Sequence, residues 1–354
     1  MYRLLIRPVL FLFPPETIHR ILVASLQILF RIPGFRWLVS NIYVLDDNRL
    51  ETEFLGMTFR NPVGLAAGFD KNAEIYRELF AFGFSFIEVG TITPLGQPGN
   101  PRPRSFRIPE DNGLINRMGF NNIGAAAAAV NLDRKRPKEL VLGGNIGKNT
   151  HTPNQDAVAD YEAVFRSIHD YVDYFVINVS CPNISDLHVL QDQDFLEAIL
   201  GRIVEVRKEM KSAKPVLLKI SPDLNNRQLD ETVEIVSRLQ LDGIVATNTT
   251  ITRNRLRTKN RKLDSIGEGG MSGAPITDRS LRVVQYISNK TGGTMPIIAV
   301  GGIMNVSDAL NMLSAGATLI QLYTGFIYEG PALVKRINRE ILKERIREQV
   351  SENQ

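Results

Sequence analysis

The chain is poor in sulfur. Cys181 is the only cysteine among 354 residues, so no internal disulfide can form, a composition that agrees with a reducing compartment. Histidine is scarce as well: His19, His151, His169 and His188 are scattered without metal-ligand spacing, and no metal site is expected. No run of about 18 to 20 uninterrupted apolar residues occurs, which excludes an ordinary membrane-spanning helix. Charge of one sign is also lacking. The net charge of +4 and isoelectric point near 9.1 are mild, and neither zinc-finger spacing nor an aromatic RNA-binding signature accompanies them, so no nucleic-acid partner is expected. What the chain does have is bulk. At 44% hydrophobic and 23% charged it can bury a large core, and its length suits one big domain with an appendage.

The appendage is residues 1–45, ahead of a main unit at 46–354. In its first 40 residues Arg3, Arg7, Arg20, Arg31 and Arg36 face Glu16 alone, amid Leu4, Leu5, Ile6, Val9 to Phe13, Ile18, Ile21, Leu22, Val23, Leu26 and Ile28 to Phe30. Pro14 and Pro15 break this greasy segment, and Pro33 with Gly34 closes it, which predicts two short helices, each too short to cross a bilayer. Two readings stand on composition: an amphipathic pair lying in a membrane interface with its arginines among anionic headgroups, or a helical hairpin capping one end of the main unit. A signal peptide fits less well, because the prolines interrupt the run and no small-residue cleavage site follows it.

From Asn61 onward a short apolar run followed by an amphipathic helix repeats eight times. The runs are Pro62 to Ala67, Phe86 to Gly90, Leu140 to Ile146, Tyr174 to Val179, Val216 to Ile220, Gly243 to Thr247, Ile297 to Val300 and Leu319 to Tyr323. Helical patterns follow at 72–82, 120–131, 155–170, 191–211, 226–240, 278–290, 307–315 and 331–348. Strands alternating with helices imply parallel pairing, and eight such units imply an α/β fold closed into a (β/α)8 TIM barrel, with a doubly wound open sheet as the fold-level alternative. Glu51 to Arg60 reads as a small strand or hairpin covering the barrel's bottom. A long insertion spans Pro94 to Met118, where function often sits. Ala125 to Ala129 reads as plain helix, and the basic stretch Arg253 to Lys262 as a solvated loop.

In such a barrel the residues at the carboxyl ends of the strands build the site. Here those ends are rich in amides and hydroxyls: Ala67-Gly68-Phe69-Asp70-Lys71, Gly90-Thr91, Asn145-Ile146-Gly147-Lys148-Asn149, Asn178-Val179-Ser180-Cys181-Pro182-Asn183, Lys219, Thr247-Asn248-Thr249-Thr250, Gly301-Gly302 and Tyr323-Thr324-Gly325. Buried polar groups need partners, and a flat heterocycle edged with carbonyls and N–H groups supplies them. The glycines after strands seven and eight, with Gly270 and Gly273, suit a phosphate, which favours a mononucleotide cofactor. Gly143 to Lys148 only imitates a P-loop, since Asn149 stands where Ser or Thr is needed.

Three strings carry a resemblance that runs nearly end to end: Asn61 to Lys71, Gly113 to Asn121, and Ile244 to Thr250. They resemble those of the dihydroorotate dehydrogenases. The helical pair and the insertion Pro101 to Arg107 are similar to the membrane-bound, quinone-using branch, which favours the interfacial reading of the N-terminus. The resemblance implies FMN against Ala67, Gly68, Phe69, Asp70, Lys71, Thr91, Asn145, Asn178, Lys219, Thr247, Gly273, Gly302, Tyr323 and Thr324. It places dihydroorotate against Lys71, Asn116, Arg117, Met118, Gly119, Phe120, Asn178, Asn183, Asn248 and Thr249. Lys219 would stabilise negative charge at the flavin's pyrimidine edge. Cys181 stands at the position of the base that removes the C5 proton, where the quinone-using branch normally carries serine and the soluble branch cysteine; a thiol of ordinary pKa near 8.5 is the better base. The loop Ile184 to Gln193 is expected to close over substrate. His19 and Arg107 would hold a quinone head, with electrons leaving FMN for a membrane quinone. The implied location is peripheral, on the cytoplasmic side of a cell inner membrane, as a monomer or homodimer. A soluble-type enzyme using fumarate or a partner carrier, and a non-catalytic flavin-binding barrel at the membrane, are the competing readings.

Overall fold

The computed structural model describes residues 2–179 and 193–352. Eight parallel strands close into a barrel in sequential order: Val63–Leu65, Phe86–Ile92, Val141–Ile146, Tyr174–Asn178, Val216–Ile220, Gly243–Ala246, Ile297–Val300 and Leu319–Leu322. These are the eight runs expected. Closure comes from strand eight pairing with strand one in the register Ile320↔Val63, Gln321↔Gly64 and Leu322↔Leu65. Every residue of these strands is buried, as a parallel sheet sheathed in helices requires. The eight expected helices follow their strands, from Tyr76–Leu79 after strand one to Ala332–Glu352 after strand eight.

Where helix starts move, a local cause is visible. The first helix begins late, at Tyr76, because the Asp70 carboxylate takes the N–H groups of Glu74 and Ile75, both at 2.8 Å, and pins the preceding residues in a turn. The second begins at Ala125 because Asn122–Gly124 pairs instead with Leu95–Gln97. Asn225 and Asn305 start their helices with reciprocal capping boxes to Gln228 and Asp308.

The hairpin expected at 51–60 is present: Thr52–Phe54 and Met57–Phe59 pair antiparallel around Leu55 and Gly56, both at positive φ. Phe59 meets the Phe86 ring edge-on at 5.3 Å and, with Phe54, closes the amino-terminal end of the barrel interior. The insertion builds a further antiparallel sheet in which Gly113–Asn116 pairs on one side with Ser105–Ile108 and on the other with Gly270–Gly273, a strand from the loop after strand six that the sequence did not announce. The basic stretch 253–262 is not wholly a solvated loop: the N–H groups of Arg257 and Thr258 reach Asp111, and a helix Asn260–Ile266 begins inside it.

The N-terminal extension holds the two expected segments, Tyr2–Phe11 and Pro15–Leu29, which meet at 117° across the proline pair, and a third helix, Phe35–Tyr43, that was not expected. Among the described residues no single helix is long and apolar enough to cross a membrane. Leu22, Val23, Leu26 and Phe30 pack inward on the core, whereas Leu4, Leu5, Leu12, Ile28 and Trp37 are exposed, so the extension both caps the barrel and presents an apolar outer face. Phe59→Ala is expected to cost about 3–5 kcal/mol, because the ring is wholly buried between hairpin and barrel; the urea denaturation midpoint of the variant measures it.

Candidate active site

A cleft with about 990 Å³ of empty space, open to solvent, lies at the carboxyl ends of the strands. Strand-end geometry brings the expected residues into it: Ala67, Gly68 and Lys71 from strand one, Thr91 from strand two, Asn178 from strand four, Lys219 from strand five, and Thr247, Asn248 and Thr249 from strand six. Asn116, Met118, Gly119 and Phe120 enter from the insertion. Gly273, Gly302, Tyr323 and Thr324 close the far side, where Ser272, Gln321 and Gly301 also line the wall. Gly302 cannot be replaced quietly. Its φ is 79°, and a Cβ there would lie 2.3 Å from Thr277 Cα.

Four of the expected residues do not line the cleft. Arg117 turns outward: Nη1 donates to the carbonyls of Ile266 at 2.6 Å and Glu268 at 2.8 Å, and the guanidinium stacks on Phe106, because side chains alternate faces where the strand Gly113–Asn116 ends. Asp70 is spent on the turn described above and does not line the cleft; burial pushes its carboxyl up to about 6. Phe69 points between His19, Tyr323 and Phe326. Asn145 lies one layer beneath the cleft, wholly buried. Cys181, Asn183 and the expected lid at 184–193 fall wholly or in part outside the described residues, so the positions of Cys181 and Asn183 are expectations from the motif alone.

That lower layer is organised by Glu88 of strand two, which is fully buried. Its Oε1 accepts from Asn145 Nδ2 at 2.7 Å, its Oε2 from Gln321 Nε2 at 2.6 Å, and Lys219 Nζ stands 3.6 Å from Oε1. Thr91 Oγ1 donates to Asn145 Oδ1 at 2.5 Å, Asn178 Nδ2 donates to Thr91 Oγ1 at 3.0 Å, and Asn248 Nδ2 to Asn178 Oδ1 at 3.2 Å. Sequence reasoning missed Glu88 and Gln321. A lone acid inside an apolar strand was the available signal, since such a group must be paired.

At the mouth, Lys71 Nζ donates to Gly68 O at 2.5 Å, and burial, reinforced by the charge of Arg104, pushes its ammonium down to about 8. His19 reaches from the extension to Phe69 O at 2.7 Å; burial, then the nearby Lys71, lowers it to about 4, so the ring is neutral near pH 7. Nε2 faces a carbonyl, which only accepts, so Nε2 carries the proton. Arg107 is held against the extension through Phe13 O at 2.6 Å and lies over the Phe11 ring. Thr249 Oγ1 is buried without a hydrogen-bond partner among the described residues, a donor and acceptor left for a ligand in the cleft.

The family model described as "Dihydroorotate dehydrogenase" matches residues 49–345. The chain belongs to the dihydroorotate dehydrogenase family. It is 50% identical over 343 residues, 97% of this chain and 99% of the other, to the dihydroorotate dehydrogenase (quinone) of Christiangramia forsetii. The protein of the same name from Halobacterium salinarum is 45% identical, with 97% and 95% covered. Among solved structures, the Eimeria tenella DHODH in complex with ferulenol superposes with a TM-score of 0.81 at 35% identity, covering 95% of this chain and 92% of that one. In this member of the family the floor of the cleft depends on one carboxylate. Glu88→Leu would remove the acceptor of both Asn145 Nδ2 and Gln321 Nε2 and is expected to destabilise by about 2–5 kcal/mol, with Glu88→Gln milder; equilibrium unfolding in urea distinguishes the two.

Proposed function

We propose that the chain oxidises dihydroorotate to orotate with FMN in the barrel mouth and a quinone as final acceptor, a step of pyrimidine biosynthesis. The observation that carries this reading is the convergence of Lys71, Asn116, Asn178, Asn248 and Thr249 on one open cleft whose floor holds Lys219. The donor set fits a flat, carbonyl-edged cofactor: amides and hydroxyls line one wall, Thr249 Oγ1 awaits a partner, and the glycines at 273, 301 and 302 keep side chains out of the wall where a phosphate would approach the backbone. Ala67, Gly68, Thr91, Asn178, Lys219, Thr247, Gly273, Gly302, Tyr323 and Thr324 would hold FMN, which when bound supplies the acceptor for the C6 hydride and the carrier that delivers electrons to the quinone.

The protein's own part is positional and electrostatic. Lys71 meets the substrate carboxylate, and Asn116, Asn178 and Asn248 donate and accept along the dihydropyrimidine edge, joined by Asn183 on the strength of the motif. Cys181 Sγ is assigned the C5 proton by its place in the same motif. Lys219 stands where negative charge would collect. Burial holds the Tyr323 phenol up at about 12, so it stays protonated and its OH donates to Gly68 O at 3.3 Å. For the quinone, Arg107 offers the charge, and His19, with Nε2 committed to Phe69 O, offers Nδ1. The exposed apolar face of the extension, with Arg20 and Arg31, suits attachment to the cytoplasmic surface of an inner membrane.

Anaerobic mixing with dihydroorotate should bleach the flavin absorbance, and a quinone should restore it. A purified, FMN-loaded protein that dihydroorotate never bleaches sinks the proposal, and turnover with fumarate but not quinone redirects it to a soluble-type acceptor. Cys181→Ser is expected to retain flavin reduction with a shifted pH profile, and Cys181→Ala to be slower by about 100-fold or more. Orotate affinity, followed by its perturbation of the flavin spectrum, should be constant below pH 8 and weaken as pH rises through it, because the Lys71 charge is present below about 8 and lost above it. In Lys71→Met affinity should be weak and this pH dependence absent.

A further inference from the structure

Glu16 is the one acidic residue in the first 45, and it is turned inward, away from the apolar outer face. Oε1 accepts from Arg104 Nη2 at 2.8 Å and Oε2 from Arg104 Nε at 3.2 Å, a two-point contact between segments 88 residues apart; Arg102, whose side chain is 59% exposed, adds an outer contact at 3.0 Å. The Arg104 side chain is only 4% exposed. Its Nη1 gathers the carbonyls of Pro98 at 2.6 Å and Asn100 at 2.9 Å, and its own carbonyl accepts from Arg117 N at 2.9 Å. Asn100 N in turn donates to Met118 O at 3.1 Å. Arg104 is therefore the hub that fixes the Met118–Phe120 turn, one wall of the cleft. One turn along the same helix, His19 holds Phe69 O beside the opposite wall, at Gly68 and Lys71. The helix grips both sides of the mouth at once.

Without the Glu16 carboxylate, a nearly buried guanidinium would keep its carbonyl partners but lose its counter-charge, leaving Nε and Nη2 unpaired. Such a group moves toward water, and here it would carry Pro98, Asn100 and the turn with it. We propose that Glu16 is a positioning residue for dihydroorotate binding, acting through Arg104 on the Met118–Phe120 turn, so that the N-terminal extension is part of the oxidative site as well as an apolar face. This rests on the reading of that turn as a wall of the dihydroorotate site.

The test uses the full-length, FMN-loaded protein and follows flavin bleaching without quinone against dihydroorotate concentration. In Glu16→Gln the half-saturating concentration should rise about tenfold, the order expected for one lost charge-assisted hydrogen bond, while the limiting bleaching rate, FMN content and quinone KM stay within about twofold of wild type. Arg104→Lys should behave alike, Glu16→Asp should recover part of the loss, and Arg102→Gln should match wild type. Half-saturation at the wild-type concentration in both Glu16→Gln and Arg104→Lys overturns the inference, as does a rise that only tracks lost FMN. Wild-type protein that dihydroorotate does not bleach would instead overturn the functional reading itself.

Discussion

Closure between the last strand and the first is the constraint on which the rest depends. In an open sheet, the polar residues that follow each strand would spread along an edge. Joining Gln321 to Gly64 in register curls that edge into a ring, so residues from strands one, two, four, five and six face one another across a single mouth. The seam itself becomes part of the site. Gln321 reaches Glu88 of strand two across 233 residues of sequence, and Tyr323 lays its hydroxyl against Gly68. The loops above the strand ends are free to vary because the ring beneath them fixes where each one starts.

The two ends of the ring are closed by different chemistry. At the bottom, Phe54 packs on Phe59 and Phe59 on Phe86, edge to face, and the stack seals the interior, a contact that asks only for volume and shape. At the top, the extension closes the rim with Phe69 and Phe326 on the apolar side and with Glu16, His19 and Arg104 on the polar side. Apolar packing alone would hold the helix on the barrel. The directional bonds to the Phe69 carbonyl and to Arg104 additionally set its angle and register over the cleft.

Much of this was legible in the sequence, for a physical reason. Strands buried on both faces read as unbroken apolar runs, and eight of them at regular spacing leave little choice of architecture. The two small sheets built with the insertion were illegible because strands of three or four residues bounded by Gly, Pro and Asn, such as Leu95–Gln97 and Gly270–Gly273, look like turns until their partners are known. For the site, strand-end position was enough to place Thr91, Asn178, Lys219 and Asn248 on one cleft, because backbone geometry alone puts them at the mouth. It could not say which way a side chain points. Arg117 and Asp70 sit within motif strings yet serve backbone groups of the loops, and Asn145 lies one layer beneath the cleft lining. Glu88 and Gln321 were overlooked because they lie inside apolar runs, where burial says that a polar residue must be paired but not with what.

The carboxylate at the floor also dictates the polarity of everything above it. Both Glu88 oxygens accept, Oε1 from Asn145 Nδ2 and Oε2 from Gln321 Nε2, so Asn145 offers Nδ2 downward and turns Oδ1 upward. That oxygen takes the Thr91 hydroxyl proton, which leaves Thr91 Oγ1 to accept from Asn178 Nδ2. Asn178 then has only its oxygen to show Asn248, whose Nδ2 donates to it, and Asn248 Oδ1 is left to take the Thr249 N–H at 2.8 Å. Each amide is thereby held in one of its two orientations by the group below, and hydrogen bonds linked in this sense reinforce one another. A hydrocarbon at position 88 of equal volume would pack as well, but it would release every one of these choices. The buried acid therefore acts on specificity: it presents to the ligand a fixed pattern of donors and acceptors in place of an average over several.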